Sequence, residues 1–427
     1  MQIENPQKNK KLIFVLSAAL FGCLSYVIRF YNNNAHYEVQ DWLINYQAGF
    51  VRRGLSGEIF LFLSNLFNVE VKLFYLIFVC AILIYFFYLI YNFIKDVTFN
   101  LINTIIIFCP FSILYNLFDS KSTGRKEIIV IVFLLFFINF IKKIKYKENS
   151  IYLLIFSFPI LMLMHESVIF YLPYFFSVIF IYTNEENKNK MFILSFVFLL
   201  GISILTYILF TYGATTEQVK IICDSLKNSV RDNCYTSGSI VELTRNLDIA
   251  YADVIDRNIN GIWKGFLKIT IISIIIGFLP IIIVSLFLYN QNQNHAFSNI
   301  IIKKFNYNLF LFLPLLSTLP LYLFTIDWGR WVHTSYIMTM IVFVLYAKEN
   351  FILPNSTYKN LLGLTNKINY NFRKIILVFI IIIYCAGWYM PFCCNIYIKS
   401  PLLKFYKNST RALNKNMTID TVIDFFK

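Results

Sequence analysis

Residues 71–94 read VKLFYLIFVCAILIYFFYLIYNFI. Their one charged side chain, Lys72, stands at the very start, and no proline or glycine interrupts the run. A helix crossing the apolar core of a bilayer needs about 20 such residues, because lipid offers no partner to an unpaired backbone group. The stretch therefore reads as a membrane-spanning helix. Runs of the same character cover 12–30, 97–117, 127–141, 151–164, 167–182, 191–211, 265–289, 305–325, 332–347 and 374–391, for about eleven spans in all. The last two runs before residue 183 are one stretch split at His165-Glu166. Residues 55–67 (LSGEIFLFLSNLF) are apolar but short, and read as an interfacial or re-entrant helix.

The composition agrees. Of 427 residues, 58% are hydrophobic and 14% charged, where soluble domains carry ~25% charge. This excludes a soluble globular enzyme and a disordered chain. The apolar residues come in long runs rather than in alternation, which excludes a β-barrel. The fold expected is an all-α, polytopic membrane domain over 1–391, with one sizeable loop at 212–262. A tail over 392–427, with spaced apolar residues, is expected on the membrane surface. The first apolar run follows Lys8, Lys10 and Lys11 and lacks a small-x-small cleavage site, so it reads as a retained helix.

The net charge of +15 lies largely in short lysine clusters between apolar runs, the pattern of cytoplasmic loops, and is no signal for nucleic acid. With the N-terminus cytoplasmic, the inside segments are 1–11, 95–96, 142–150, 183–190, 290–304 and 348–373. The tail runs against the trend, with six cations on the outer side. Cys23, Cys80, Cys109 and Cys385 lie in apolar runs as small hydrophobes. Cys223 and Cys234 share one polar loop and are placed to bond if that loop faces an oxidising compartment.

Under this topology the densest polar clusters share the outer face: Tyr37–Glu58, Asp119–Glu127 (DSKSTGRKE), His165-Glu166 and Asp327–Trp331 (DWGRW). Arg52 and Arg53 sit beside Gly54, and guanidinium forks suit phosphate and carboxylate oxygens. Asp41 and Glu58 are acids near the bilayer surface. Arg125 and Lys126 precede a helix start, a favourable place for an anion. An ionisable pair between two apolar runs, as at His165 and Glu166, is a functional hypothesis by default. Asp327 and Arg330 add a possible internal pair. Trp42, Trp328 and Trp331 supply indole faces suited to sugar C–H surfaces or to an interfacial belt. The expected roles are catalysis for Asp41, Glu166, His165 and Glu58. Arg52, Arg53, Arg125, Lys126, Asp327, Arg330, Trp42, Trp328 and Trp331 are expected to bind substrate, with the four arginines in one pocket. The chain lacks GxxxxGK[ST] spacing and HExxH, so neither a P-loop nor a metal site is expected, and no cofactor.

These motifs together, GFVRRGLSGE after the first helix, GRKE before another, the His-Glu pair and DWGRW, resemble O-antigen or capsule polymerases of the Wzy type. The resemblance implies a glycosyltransferase of the bacterial inner membrane. It would pass a glycan from undecaprenyl diphosphate to a lipid-linked repeat unit on the periplasmic face. The implied partners are that lipid-linked oligosaccharide, membrane lipid and a chain-length regulator protein. Asp41 also sits where other polyprenyl-phosphate-dependent glycosyltransferases carry an acid, although their paired acids have no clear counterpart here. A flippase of lipid-linked oligosaccharide is the competing class, and would place charges inside the bundle on several helices. A non-catalytic assembly protein is the third reading.

Overall fold

The structure is a computed structural model, and it describes residues 6–32, 37–97, 99–211, 213–226, 229–230, 234–245, 247–256, 264–292, 307–349, 370–393 and 398–403. The expected surface tail beyond 403 and most of 290–304 and 348–373 lie outside these residues. Among the described residues the chain is α-helical, and its β pairing is one isolated antiparallel bridge, Tyr389 to Lys399.

The first helix, α1 (Pro6–Tyr31), ends at a loop carrying the short α2 (Tyr37–Leu43). Next come α3 (Leu55–Phe67) and α4 (Val71–Ile94). Both ends of α3 lie on one face of the bundle. Its start follows Arg53-Gly54, while α4 begins with Lys72 over the Tyr31 ring, 4.7 Å away, at the end of α1. Gly57 makes the close return workable: a Cβ there would fall on the Ile44 carbonyl. Lys10–Tyr31, Val71–Ile94 and Glu186–Thr211 are long and apolar enough to cross a membrane. Six shorter apolar helices accompany them among the described residues.

The run 97–117 is not one helix. It breaks into α5 (Leu101–Ile107) and α6 (Tyr115–Phe118) around Pro110, where the missing N–H and the ring stop a helix. Unwound backbone inside an apolar bundle survives only if something satisfies it. Here α16 (Trp328–Glu349) does so. Tyr336 donates its hydroxyl to the Ile106 carbonyl at 2.9 Å, and His333 Nδ1 lies 2.7 Å from the Phe111 carbonyl. The run 305–325 is likewise divided, into α14 (Tyr307–Leu316) and α15 (Leu321–Phe324), with Pro314 and Pro320 at the joint.

Helix α16 forms the axis of the bundle. It packs against α7 (Ile128–Lys143), α9 (Leu172–Tyr182), α13 (Lys264–Asn292) and α14. Helix α4 joins α7 to α1. At the edge runs α10 (Glu185–Thr211), many of whose apolar side chains are exposed, among them Phe196, Leu200, Ile204 and Tyr207. Helix α8 (Ser150–Met164) leads to the His165-Glu166 junction and a 3-10 turn, Glu166–Tyr171. A last helix, α17 (Tyr370–Ala386), precedes the 387–403 segment.

Residues 213–256 cap one end of the bundle with α11 (Thr216–Leu226), a 3-10 turn (Val241–Thr244) and α12 (Leu247–Val254). A Cys223–Cys234 disulfide closes the cap on itself, with Cα atoms 6.0 Å apart. The cap is tied to the 37–58 loop. Gln218 donates to the Ala48 carbonyl, Asn45 to Ser225 Oγ, and Ser239 to the Tyr37 carbonyl, at 3.1, 3.0 and 3.0 Å.

Candidate functional site

Beneath the cap lies a cavity of about 470 Å3. Loops and helix ends from seven segments meet there, so only the folded bundle gathers its walls. Arg52, Arg53, Arg125 and Arg330 all line it, as do His165 and Glu166. The four arginines expected to share a pocket do share one.

Arg53 is the hub. Its Nε donates to both Glu166 oxygens at 2.9 and 2.8 Å, and Nη2 to Oε1 at 2.5 Å. Nη1 lies 3.7 Å from Asp41 Oδ1. The Arg53 backbone is left-handed, φ 67, a conformation that costs a side-chain-bearing residue about 1–3 kcal/mol and persists only where surroundings over-determine it. Two contacts supply that constraint: the fork on Glu166, and Lys126 Nζ donating to the Arg53 carbonyl at 3.0 Å. Arg52 points the other way, and Nη2 donates to the Glu242 and Arg245 carbonyls of the cap at 3.1 Å each.

On the opposite wall, Arg125 Nη2 meets Glu38 Oε1 at 3.3 Å and its Nε donates to the Lys121 carbonyl at 3.2 Å. Arg330 Nη1 meets Glu127 at 3.2 Å, and Nη2 meets Asp327 at 3.5 Å. The Phe392 ring lies between these two guanidiniums, 4.7 Å from Arg125 and 5.4 Å from Arg330. Its N–H donates to Asp119 Oδ2 at 2.8 Å. A Cβ at Gly329 would strike the Pro391 carbonyl, so that glycine lets the 391–393 segment close on the start of α16. Three donors of these arginines, Arg52 Nε, Arg125 Nη1 and Arg330 Nε, are buried without a hydrogen-bond acceptor among the described residues. They are open valences beside the cavity.

Other expected site residues lie elsewhere. Asp41, Lys126 and Trp42 are buried and do not line the cavity. The Trp42 ring packs on Phe60 and Phe78, and its Nε1 donates to the Gly124 carbonyl at 2.6 Å. Burial alone pushes the Asp41 carboxyl up, but Lys126, Arg53 and His165 outweigh it and hold the pKa at about 2. A carboxylate so acidic is a poor general base at neutral pH. Burial pushes Lys126 down to about 8, with Asp41 pulling upward and Arg53 downward. Glu58 binds the Tyr46 N–H and Gln47 Nε2 at 2.8 and 2.9 Å, so it organises the 44–58 loop from outside the cavity. Trp328 donates to the Tyr322 carbonyl at 3.0 Å and also stands outside, whereas Asp327 and Trp331 line the cavity.

Sequence reasoning missed Phe392, Ser167 and the cap's Glu242, Arg245 and Asp253, all of which line the cavity. It also missed Glu127 as the acid beneath Arg330. The cap offered one signal, Glu242 and Arg245 at helical spacing in a cysteine-bearing loop; they pair at 2.9 Å, and Arg245 also pairs with Asp253 at 2.9 Å. The cavity lining also includes apolar side chains, among them Phe170, Phe210, Leu321 and Phe324 from bundle helices and their ends. Among the described residues, no three His, Cys, Asp or Glu side chains come together as a metal site.

The sequence model of one family, described as an uncharacterised membrane protein family, Rv1490, matches residues 11–361. The chain belongs to that family and is a membrane protein. No curated protein and no solved structure matches it.

Proposed function

Taking membership of that membrane-protein family as the premise, we propose that the protein is a glycosyltransferase using a lipid-linked, phosphate-bearing sugar donor. Its specific form is a repeat-unit polymerase of O-antigen or capsule, acting on the outer face of the bacterial inner membrane. One observation carries the reading. A single cavity is lined both by arginines and carboxylates and by the apolar side chains Phe170, Phe210, Leu321 and Phe324, the two kinds of contact that a polyprenyl diphosphate sugar needs at once.

The arginines would hold the diphosphate, exchanging Glu38 and Glu166 for phosphate oxygens and filling the open donors of Arg52, Arg125 and Arg330. They would stabilise charge as the lipid diphosphate departs. A carboxylate takes the proton of the acceptor hydroxyl. Asp41 stands behind Arg53, and Glu166 is gripped by it. Asp327 lines the cavity, as Asp41 does not, and its contact with Arg330 at 3.5 Å is longer than that of Glu166 with Arg53 at 2.5 Å, so it is the carboxylate assigned to this step. The outer-face placement draws support from the Cys223–Cys234 disulfide, because such bonds persist in oxidising compartments.

The test is the surface polysaccharide of a deletion strain, separated on a gel and complemented with variants. A polymerase defect leaves core capped by one repeat unit; a flippase defect leaves it uncapped. Arg53→Lys, which removes the fork but keeps the charge, should give single-repeat capping at normal protein level. Asp327→Asn should do the same. Uncapped core in the deletion strain would refute the polymerase reading, in favour of a transporter or a ligase.

A further inference from the structure

One group of side chains at the cavity is not used by this reading. His165, Ser167 and Glu127 form a line. His165 Nδ1 is 2.7 Å from Ser167 Oγ, and His165 Nε2 is 3.5 Å from Glu127 Oε1. The Ser167 backbone N–H donates to the same Nδ1 at 3.3 Å. That contact fixes Nδ1 as the lone-pair nitrogen and puts the ring proton on Nε2, which has Glu127 within ion-pair distance but no hydrogen bond to it. Glu127 is in turn held by Arg330. The edge of the imidazole meets Trp331, ring centres 6.4 Å apart. Both His165 and Ser167 open on the cavity.

Helix capping accounts for part of this. His165 precedes the 3-10 turn, and its ring accepts the Ser167 N–H as a cap would. Capping does not call for a hydroxyl at 167, nor for a carboxylate from the start of another helix at the far ring nitrogen, nor for a cavity in front of both. A hydroxyl hydrogen-bonded to a base with an acid close to its far nitrogen is the arrangement of an activated nucleophile.

We propose that Ser167, activated by His165 and Glu127, is a nucleophile that gives this cavity a covalent acyl-transfer activity toward carboxylic esters. Ser167 Oγ bonds to the ester carbonyl carbon while its proton passes to His165 Nδ1. The carbon–oxygen bond to the leaving alcohol breaks, and that oxygen takes the proton from Nδ1. Acyl-Ser167 remains. A second hydroxyl, or water, attacks the acyl carbon and gives its proton to Nδ1, from which it returns to Ser167 Oγ as the acyl group leaves. Glu127 stabilises the imidazolium between the two transfers. The buried Arg330 Nε, which lacks an acceptor among the described residues, is the donor available to the carbonyl oxygen as it gains charge.

The experiment is labelling of the purified full-length protein in detergent with a short alkyl fluorophosphonate, which loses fluoride to an activated serine hydroxyl. Peptide mass analysis should find one phosphonate on Ser167, absent from Ser167→Ala. His165→Asn keeps a side-chain oxygen for the cap and removes the base, so its labelling rate should fall about 10²–10⁴-fold. Glu127→Gln should slow labelling as well. An unlabelled Ser167 in wild-type protein that still shows a cooperative thermal transition would overturn the proposal, as would His165→Asn labelling at the wild-type rate. The measurement involves no glycan, so its failure leaves the glycosyltransferase reading standing.

Discussion

Helices α10 and α16 are both long enough to cross a bilayer, and they are built on opposite rules. Helix α10 carries no charged side chain from Met191 to Thr211 and exposes Phe196, Val197, Leu200, Ile204 and Tyr207. Helix α16 buries His333, Thr334, Ser335, Tyr336 and Thr339, and it is not among the three helices that pass as membrane spans on length and hydropathy. The outward face of a membrane helix must be apolar because lipid satisfies nothing. An inward face is free to be polar if neighbours supply partners. Hydropathy thus finds the rim of this protein most clearly and its axis least.

The contrast breaks first where α16 meets the site. The interior tolerates charge only in pairs, and the Arg53–Glu166 pair is buried on the acid's side, 2% exposed. Glu166→Gln or Arg53→Met should lower stability by about 3–5 kcal/mol, since one partner is left uncompensated; thermal unfolding in detergent measures it. On the rim the dangerous change is a new charge. Ile204→Lys, at a position 66% exposed, should raise the apparent cost of inserting α10 by roughly 2.5–3.5 kcal/mol, read as the inserted fraction in a glycosylation-mapping assay.

Asp41 offers a pH test. Its folded pKa of about 2 lies below the ordinary 3.8, so its contribution is present above pH 3.8 and is lost as pH falls through about 2. Wild type should exceed Asp41→Asn by about 2 kcal/mol at pH 7, and the gap should close between pH 4 and pH 2. A gap that stays constant across that range would break the assignment. Tyr336→Phe strands the Ile106 carbonyl and should cost about 1–3 kcal/mol. The smallest effect belongs to the rim: Ile204→Leu should change stability by less than about 0.5 kcal/mol.

The sequence carried the layout of the site because its parts are short polar breaks between long apolar runs, and such breaks are visible one at a time. That Arg52, Arg53, Arg125 and Arg330 share a cavity followed from assigning the breaks to one face. Which acid each arginine grips did not, since Arg53 and Glu166 belong to different breaks and nothing in either fixes the pairing. Asp41 and Lys126 look like solvated loop residues in sequence, yet both are buried against Arg53, Asp41 facing its guanidinium and Lys126 donating to its carbonyl. Phe392 and the cap residues were invisible because an apolar ring after the last helix, and ion pairs within a polar loop, resemble ordinary surface. The break in 97–117 had a sign in Pro110, but its continuous apolar composition hid it.

That break has a consequence during synthesis. The Phe111 carbonyl waits for His333, 222 residues downstream. At ~5–20 residues per second, translation needs roughly 10–45 s to deliver that partner. For that interval the unwound segment has no place deep in lipid, where each unsatisfied group costs several kcal/mol. The nascent chain must keep residues 108–114 near water or inside the insertion machinery, and seat them only when α16 arrives. The order in which this bundle closes is therefore written into which helix holds the broken one.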